Sequence, residues 1–220
     1  MMTKNILITG GTRGIGRCTS DLFLNSGWNV ISVGRSELNM NSIWKVEHYL
    51  ETFNESIALD ALVFSHGEWV SEPMPHTHLD EMYYRQYHSR VIAPIKIISH
   101  FANHLKMSSV GAVVFVSSTR GFIGGVNTAP YSLACAAQIA LVQGFAREFE
   151  GVRFNCIAPG LTATDMGRDV IRTGGAKATA TPQSPISVAA EIHKLIEDKT
   201  ANGKIIRVVD DLASEAKWTW

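Results

Sequence analysis

Thr9-Gly10-Gly11-Thr12-Arg13-Gly14-Ile15-Gly16-Arg17 follows the apolar run Asn5-Ile6-Leu7-Ile8 and opens a segment of helical period ending near Ser26-Gly27. Glycines let a backbone turn tightly and come close to a ligand, and the unpaired amides at a helix start attract negative charge. Between a strand and a helix, the stretch predicts a turn that cradles a dinucleotide pyrophosphate through Gly10, Thr12, Arg13, Gly14, Ile15 and Gly16. The plainer alternative is that the glycines serve only the turn.

Outward from that unit, short runs rich in Val, Ile, Leu and Phe recur at 5–9, 28–33, 42–46, 61–65, 112–117, 153–157 and 204–209. Helical period fills 14–26, 47–57, 79–107, 128–150 and 187–198. Continuous apolarity in strands, alternating with helices, marks parallel strands covered on both faces. The expectation is α/β: one Rossmann-like domain over 1–220, a doubly wound parallel sheet of about seven strands. In 128–150, the stripe through Leu133, Ala137, Ala140, Leu141, Gly144 and Phe145 is taken as the helix's core side. Only about eight residues, 34–41, separate the second and third runs, too few for a right-handed crossover with its helix. That helix is expected to be missing.

A chain of 220 residues with 45% hydrophobic and 18% charged residues has the composition of a globular protein, which excludes a disordered one. Twenty Lys plus Arg balance twenty Asp plus Glu, so no bulk charge draws it to nucleic acid or an anionic membrane. The start, Met-Met-Thr-Lys-Asn-Ile-Leu-Ile, does not read as a signal peptide, and no apolar run reaches membrane-span length. Three scattered cysteines, Cys18, Cys135 and Cys156, read as reduced thiols and a cytoplasmic location.

Past the second strand an acid would hold the 2′-hydroxyl of NAD, whereas arginine suits the 2′-phosphate of NADP. The sequence there is Val33-Gly34-Arg35-Ser36, and Arg13 adds a second guanidinium. NADP(H) is therefore favoured over NAD(H), against the bland reading of Arg35 as a solvated loop residue.

From Lys4 to about Val209 the chain resembles the short-chain dehydrogenase/reductase family. Its TGxxxGxG motif matches Thr9, Gly10, Gly14 and Gly16. Its active-site serine and tyrosine match Ser118 and Tyr131, and Pro159, Gly160 and Thr164 resemble the segment beside the nicotinamide. Three positions depart from the pattern. The YxxxK lysine is Cys135, the helix asparagine falls on Arg90, and the NNAG-like segment is reduced to Ser65-His66-Gly67 after Phe64.

The resemblance implies reduction of a small-molecule carbonyl, with Tyr131 as proton donor and Ser118 bonded to the developing oxyanion. Cys135 is a neutral thiol and supplies neither of the lysine's services, lowering the tyrosine pKa and holding the ribose. Arg90 either replaces the missing cation, or turns to solvent or pairs with an acid. Oxidation needs a tyrosinate, reduction only a phenol, so activity is expected to be slow and biased toward reduction. A nucleotide-binding subunit without turnover and a dehydratase- or isomerase-like enzyme remain alternatives.

No metal is expected: His100 and His104 share a helix side but have no third ligand, and His76 and His78 lie in a Pro-rich loop. Segment 172–185 reads as a mobile lid over substrate or a passive loop. The resemblance implies a homodimer or homotetramer through helices 88–107 and 128–150, and Trp218 and Trp220 in the tail are further candidate contacts.

Overall fold

The computed structural model describes residues 3–72, 79–210 and 212–215. Strands β1 (Asn5–Thr9), β2 (Asn29–Val33), β3 (Ala61–Phe64), β4 (Ala112–Val116), β5 (Arg153–Pro159) and β6 (Ile205–Val209) are parallel, and β7 (Leu212–Glu215) adds an antiparallel edge. The order is β2-β1-β3-β4-β5-β6-β7. Helices α1 (Gly14–Asn25), α2 (Ile43–Glu51), α3 (Leu79–Tyr87), α4 (Ala93–His100), α5 (Ala102–Met107), α6 (Ala129–Glu148), α7 (Asp165–Arg172) and α8 (Pro185–Glu197) lie between strands.

Neighbouring residues on a strand face opposite sides of a sheet. Ile6 and Ile8 pack with Phe23, Val63, Val114 and Ile192; Leu7 packs on the other side with Val46, Phe64, Ile97 and Phe115. Two cores, one above and one below the sheet, explain why these strands show no polar alternation.

The segment 42–46 is not a strand. Ser42 caps α2, its hydroxyl accepting from the Lys45 amide at 3.4 Å, and Val46 and Leu50, four residues apart, are buried while Trp44 is 78% exposed. Three apolar residues in five, Ile43, Trp44 and Val46, do not reveal their period. The helix expected to be missing between the second and third strands is therefore present, as α2, and the crossover from β2 to β3 has ordinary length. The seventh strand is instead β7, whose Leu-Ala-Ser-Glu carries little apolar pattern.

The single helix expected over 79–107 is also broken. It passes from α3 through a π-helical turn, His88–Ile92, into α4 and then α5. Pro94 has no N–H to give the carbonyl of Arg90, and Gln138 of α6 donates to that carbonyl instead, at 3.1 Å. Helix α6 buries Tyr131, Cys135, Gln138, Ile139 and Val142, whereas Leu133 of the expected stripe is 49% exposed. Small and polar residues on the buried side weaken the contrast that periodicity needs.

Candidate active site

The chain leaves β1 for β2 on one side and returns across it to β3 on the other. Ligands of open α/β sheets bind at such a reversal, beyond the carboxyl ends of the strands. A cleft of about 1180 Å³ lies there, walled by the segments that follow β1 to β6.

Gly10 and Gly11 donate to the carbonyl of Val33 at 2.8 and 3.2 Å, folding the turn onto β2. Gly10 has φ +69°, and a Cβ there would come within 2.7 Å of the His66 backbone; one on Gly16 would enter the Gly10 carbonyl. No side chain caps α1 at Arg13, and its first turn holds no acid. Uncapped amides behind a turn with no room for side chains fit a pyrophosphate.

Beside the end of β2, Arg35 faces the cleft but is paired with Glu68 at 3.1 Å, and Glu68 is held again by Arg85 at 2.8 Å. Sequence reasoning passed over Glu37, whose carboxylate accepts from the Gly34 amide at 2.9 Å and from Ser36, bonds that hold its pKa below the usual range.

Ser65 donates through its amide to Thr9 at 3.0 Å. His66 has no nitrogen free for a ligand: Nδ1 accepts from the Thr9 hydroxyl at 2.6 Å and Nε2 donates to the Ser89 carbonyl at 2.7 Å. Burial, with the charge of Arg90, lowers its pKa to about 4 despite the pull of the Ser89 bond. Its backbone is what meets the glycine turn, with Gly10 packed against it. Gly67 is bare because a Cβ would strike the Arg90 guanidinium.

Ser118 follows β4, and its Oγ accepts from the Arg120 amide at 3.2 Å. Tyr131 stands in the first turn of α6. Arg90, 2% exposed, does not turn to solvent: the π-helical turn aims it inward, where its Cζ sits 4.6 Å from the centre of the Tyr131 ring. It bonds Gln86 Oε1 at 3.3 Å and, among the described residues, pairs with no carboxylate. Cys135 lies one turn beyond Tyr131, fully buried, and Ser117 donates to its carbonyl at 2.9 Å.

The phenol's pKa is pushed up to about 12. Burial is the main cause and Cys135 adds to it, while Arg90 and the Ser118 hydroxyl pull the other way. Burial likewise raises the Cys135 thiol, against Arg90 and Tyr131. At neutral pH the site holds a neutral phenol, a neutral thiol and one buried cation.

Trp69 carried no signal in the sequence. Its ring meets Tyr131 edge-on with centroids 5.1 Å apart, and its Nε1 donates to Thr173 at 2.8 Å. Arg120 donates to the Gly175 carbonyl at 2.6 Å, so the start of segment 172–185 is tied to both walls of the cleft. Pro159 closes β5, Gly160 donates to Val208 at 2.8 Å, and Thr164 caps α7 through Gly167 at 3.1 Å. His100 and His104 pack their rings on Phe101, and no group of three metal-ligating side chains occurs among the described residues. His76, His78, Trp218 and Trp220 lie outside the described residues, within which no helix is long and apolar enough to cross a membrane.

The short chain dehydrogenase profile matches residues 4–49 and 38–174, two overlapping stretches that together span most of the chain. The chain belongs to the short-chain dehydrogenase family. Like its members it is an oxidoreductase. The family relative 3-oxoacyl-(acyl-carrier-protein) reductase of Vibrio harveyi is 29% identical over 185 residues, 74% of this chain and 75% of that protein. The fold matches a small-chain dehydrogenase in complex with NADPH at TM-score 0.80 and 21% identity, covering 96% and 98% of the two chains. It matches 4-hydroxyisoleucine dehydrogenase complexed with NADH at 0.83 and 21%, covering 94% and 96%.

Proposed function

We propose that this chain is an NADP(H)-dependent carbonyl reductase in which Arg90 stands in for the missing lysine. The observation that carries this reading is the buried guanidinium over the Tyr131 ring, with no carboxylate partner among the described residues. Arginine is not deprotonated in proteins, so it is a permanent cation beside the acid.

The cofactor would rest on Gly10, Thr12, Gly14, Ile15 and Gly16, with Arg13 and Arg35 toward the 2′-phosphate. Ser65, Gly67, Pro159, Gly160 and Thr164 would line its path. When bound in reduced form it supplies a hydride for the carbonyl carbon. Tyr131 gives its proton to the carbonyl oxygen. The Ser118 hydroxyl, bonded to Tyr131 at rest, turns its proton to that oxygen as charge develops, while its own oxygen accepts from Arg120. The tyrosinate left behind is stabilised by Arg90 until a proton returns. Cys135 stabilises nothing here; it is the neutral filler of the lysine's place.

Direction follows from the phenol. With a pKa of about 12, only about one Tyr131 in a hundred thousand is ionised at pH 7. Carbonyl reduction uses the protonated form, alcohol oxidation the rare one. The kinship with an oxoacyl reductase supports the same direction. A homo-oligomer is the matching assembly, since Ile92 and Leu133 leave apolar surface exposed at the helices expected to pair.

NADPH fluorescence titration followed by turnover on a panel of ketones tests the reading. Wild-type protein is expected to bind and oxidise NADPH, and Tyr131→Phe to bind equally but turn over about 10²- to 10⁴-fold more slowly. Binding without turnover across the panel favours the second reading, a nucleotide-binding subunit; Trp69 seated against Tyr131 is the observation on its side.

A further inference from the structure

Arg35 follows β2 and Glu68 follows β3, and β1 lies between those strands. Their ion pair at 3.1 Å therefore spans the cleft over the end of β1, where the glycine turn begins. The two partners are not equally fixed. Glu68 is 19% exposed and gripped from behind by Arg85 at 2.8 Å, whereas Arg35 is 60% exposed and has no other acid among the described residues.

We propose that Glu68 is a specificity-determining residue that competes with the cofactor's 2′-phosphate for Arg35. This deepens the NADP(H) reading and rests on it. Before binding, the carboxylate satisfies the guanidinium. A 2′-phosphate offers the same fork more charge and more acceptor oxygens, so Arg35 transfers to it. Arg85 makes the exchange cheap, because Glu68 keeps a cationic partner after Arg35 leaves and does not repel the incoming dianion. A ribose with a plain 2′-hydroxyl offers Arg35 no charge and leaves the ion pair in place. The pair thus weakens NADP(H) by the small cost of parting it and leaves NAD(H) untouched.

Calorimetric titration with 2′,5′-ADP and 5′-ADP, at low salt, separates these terms. Glu68→Gln is expected to tighten 2′,5′-ADP about two- to fivefold, the range of an exposed ion pair, and to leave 5′-ADP unchanged. Arg85→Leu, which strips Glu68 of its second partner, is expected to weaken 2′,5′-ADP alone, and Glu68→Gln in that background to restore it. The gain should shrink as salt screens the pair. Equal affinity of wild type and Glu68→Gln for 2′,5′-ADP overturns the proposal while leaving the NADP(H) reading standing. So does a loss of 5′-ADP binding in Glu68→Gln, which would make Glu68 a ribose ligand. Wild-type protein that binds neither nucleotide overturns both.

Discussion

Cys135 and Arg90 make one electrostatic unit with Tyr131, and substituting either changes what the other must do. Cys135→Lys restores the familiar lysine on paper, but it puts a second cation into a fully buried place already facing Arg90. An uncompensated buried charge of this kind costs about 3–5 kcal/mol. Cys135→Lys alone is therefore expected to lower the unfolding free energy read from urea titration by an amount of that order. Adding Arg90→Asn should recover most of it and raise alcohol oxidation at neutral pH. A single variant as stable as wild type contradicts the placement of Arg90. His66 gives a pH signature of a different kind. Its pKa falls from 6.5 to about 4 on folding, so the unfolded chain binds the extra proton between those values. Stability from this residue is complete above pH 6.5 and is lost as pH falls toward 4, by about 3 kcal/mol at most. Denaturant midpoints measured from pH 7 to 4 should fall accordingly, and His66→Gln should flatten that slope.

Helix α2 is the element whose nature the sequence concealed, and its cap offers the direct check. If Ser42 starts a helix, Ser42→Ala removes the acceptor for the Lys45 amide and costs about 0.5–1 kcal/mol, the low end for an exposed, long bond. The corresponding loss of ellipticity near 222 nm on mild heating should come before global unfolding. A Ser42→Ala protein of unchanged stability argues against the cap. Strands β1, β3, β4 and β5 were legible because both faces of each are buried, so composition alone marks them. Helix α2 was not, since three apolar letters in five fit either period. The π-helical turn was not legible either: Pro94 signals a disturbed ladder, but only the partner of the Arg90 carbonyl, Gln138 on another element, shows how the disturbance is resolved.

Across the whole molecule, the glycine turn could be read from its place between a strand and a helix, and Ser118 and Tyr131 through the family resemblance. Trp69, Glu37 and Glu68 could not, because they meet the site from loops whose path depends on tertiary packing. Assembly is a property of this scale. Leu133 is 49% and Ile92 38% exposed on the side of α6 and the π-helical turn that would meet a second copy. Leu133→Asp is expected to shift sedimentation equilibrium to the monomer without changing the fold seen by circular dichroism. An unaltered mass distribution removes that face from the interface.

The π-helical turn at His88–Ile92 amounts to one residue too many for a regular ladder. Each residue of an α-helix advances the spoke of side chains by about 100°. Deleting a single residue there would close the ladder and leave the flanking turns in phase, yet re-aim the side chains of the bulge itself by about that angle, carrying the guanidinium away from the ring it covers. In this chain, reading-frame-preserving changes of length are the mutations that separate folding from chemistry, more cleanly than any exchange of one side chain for another.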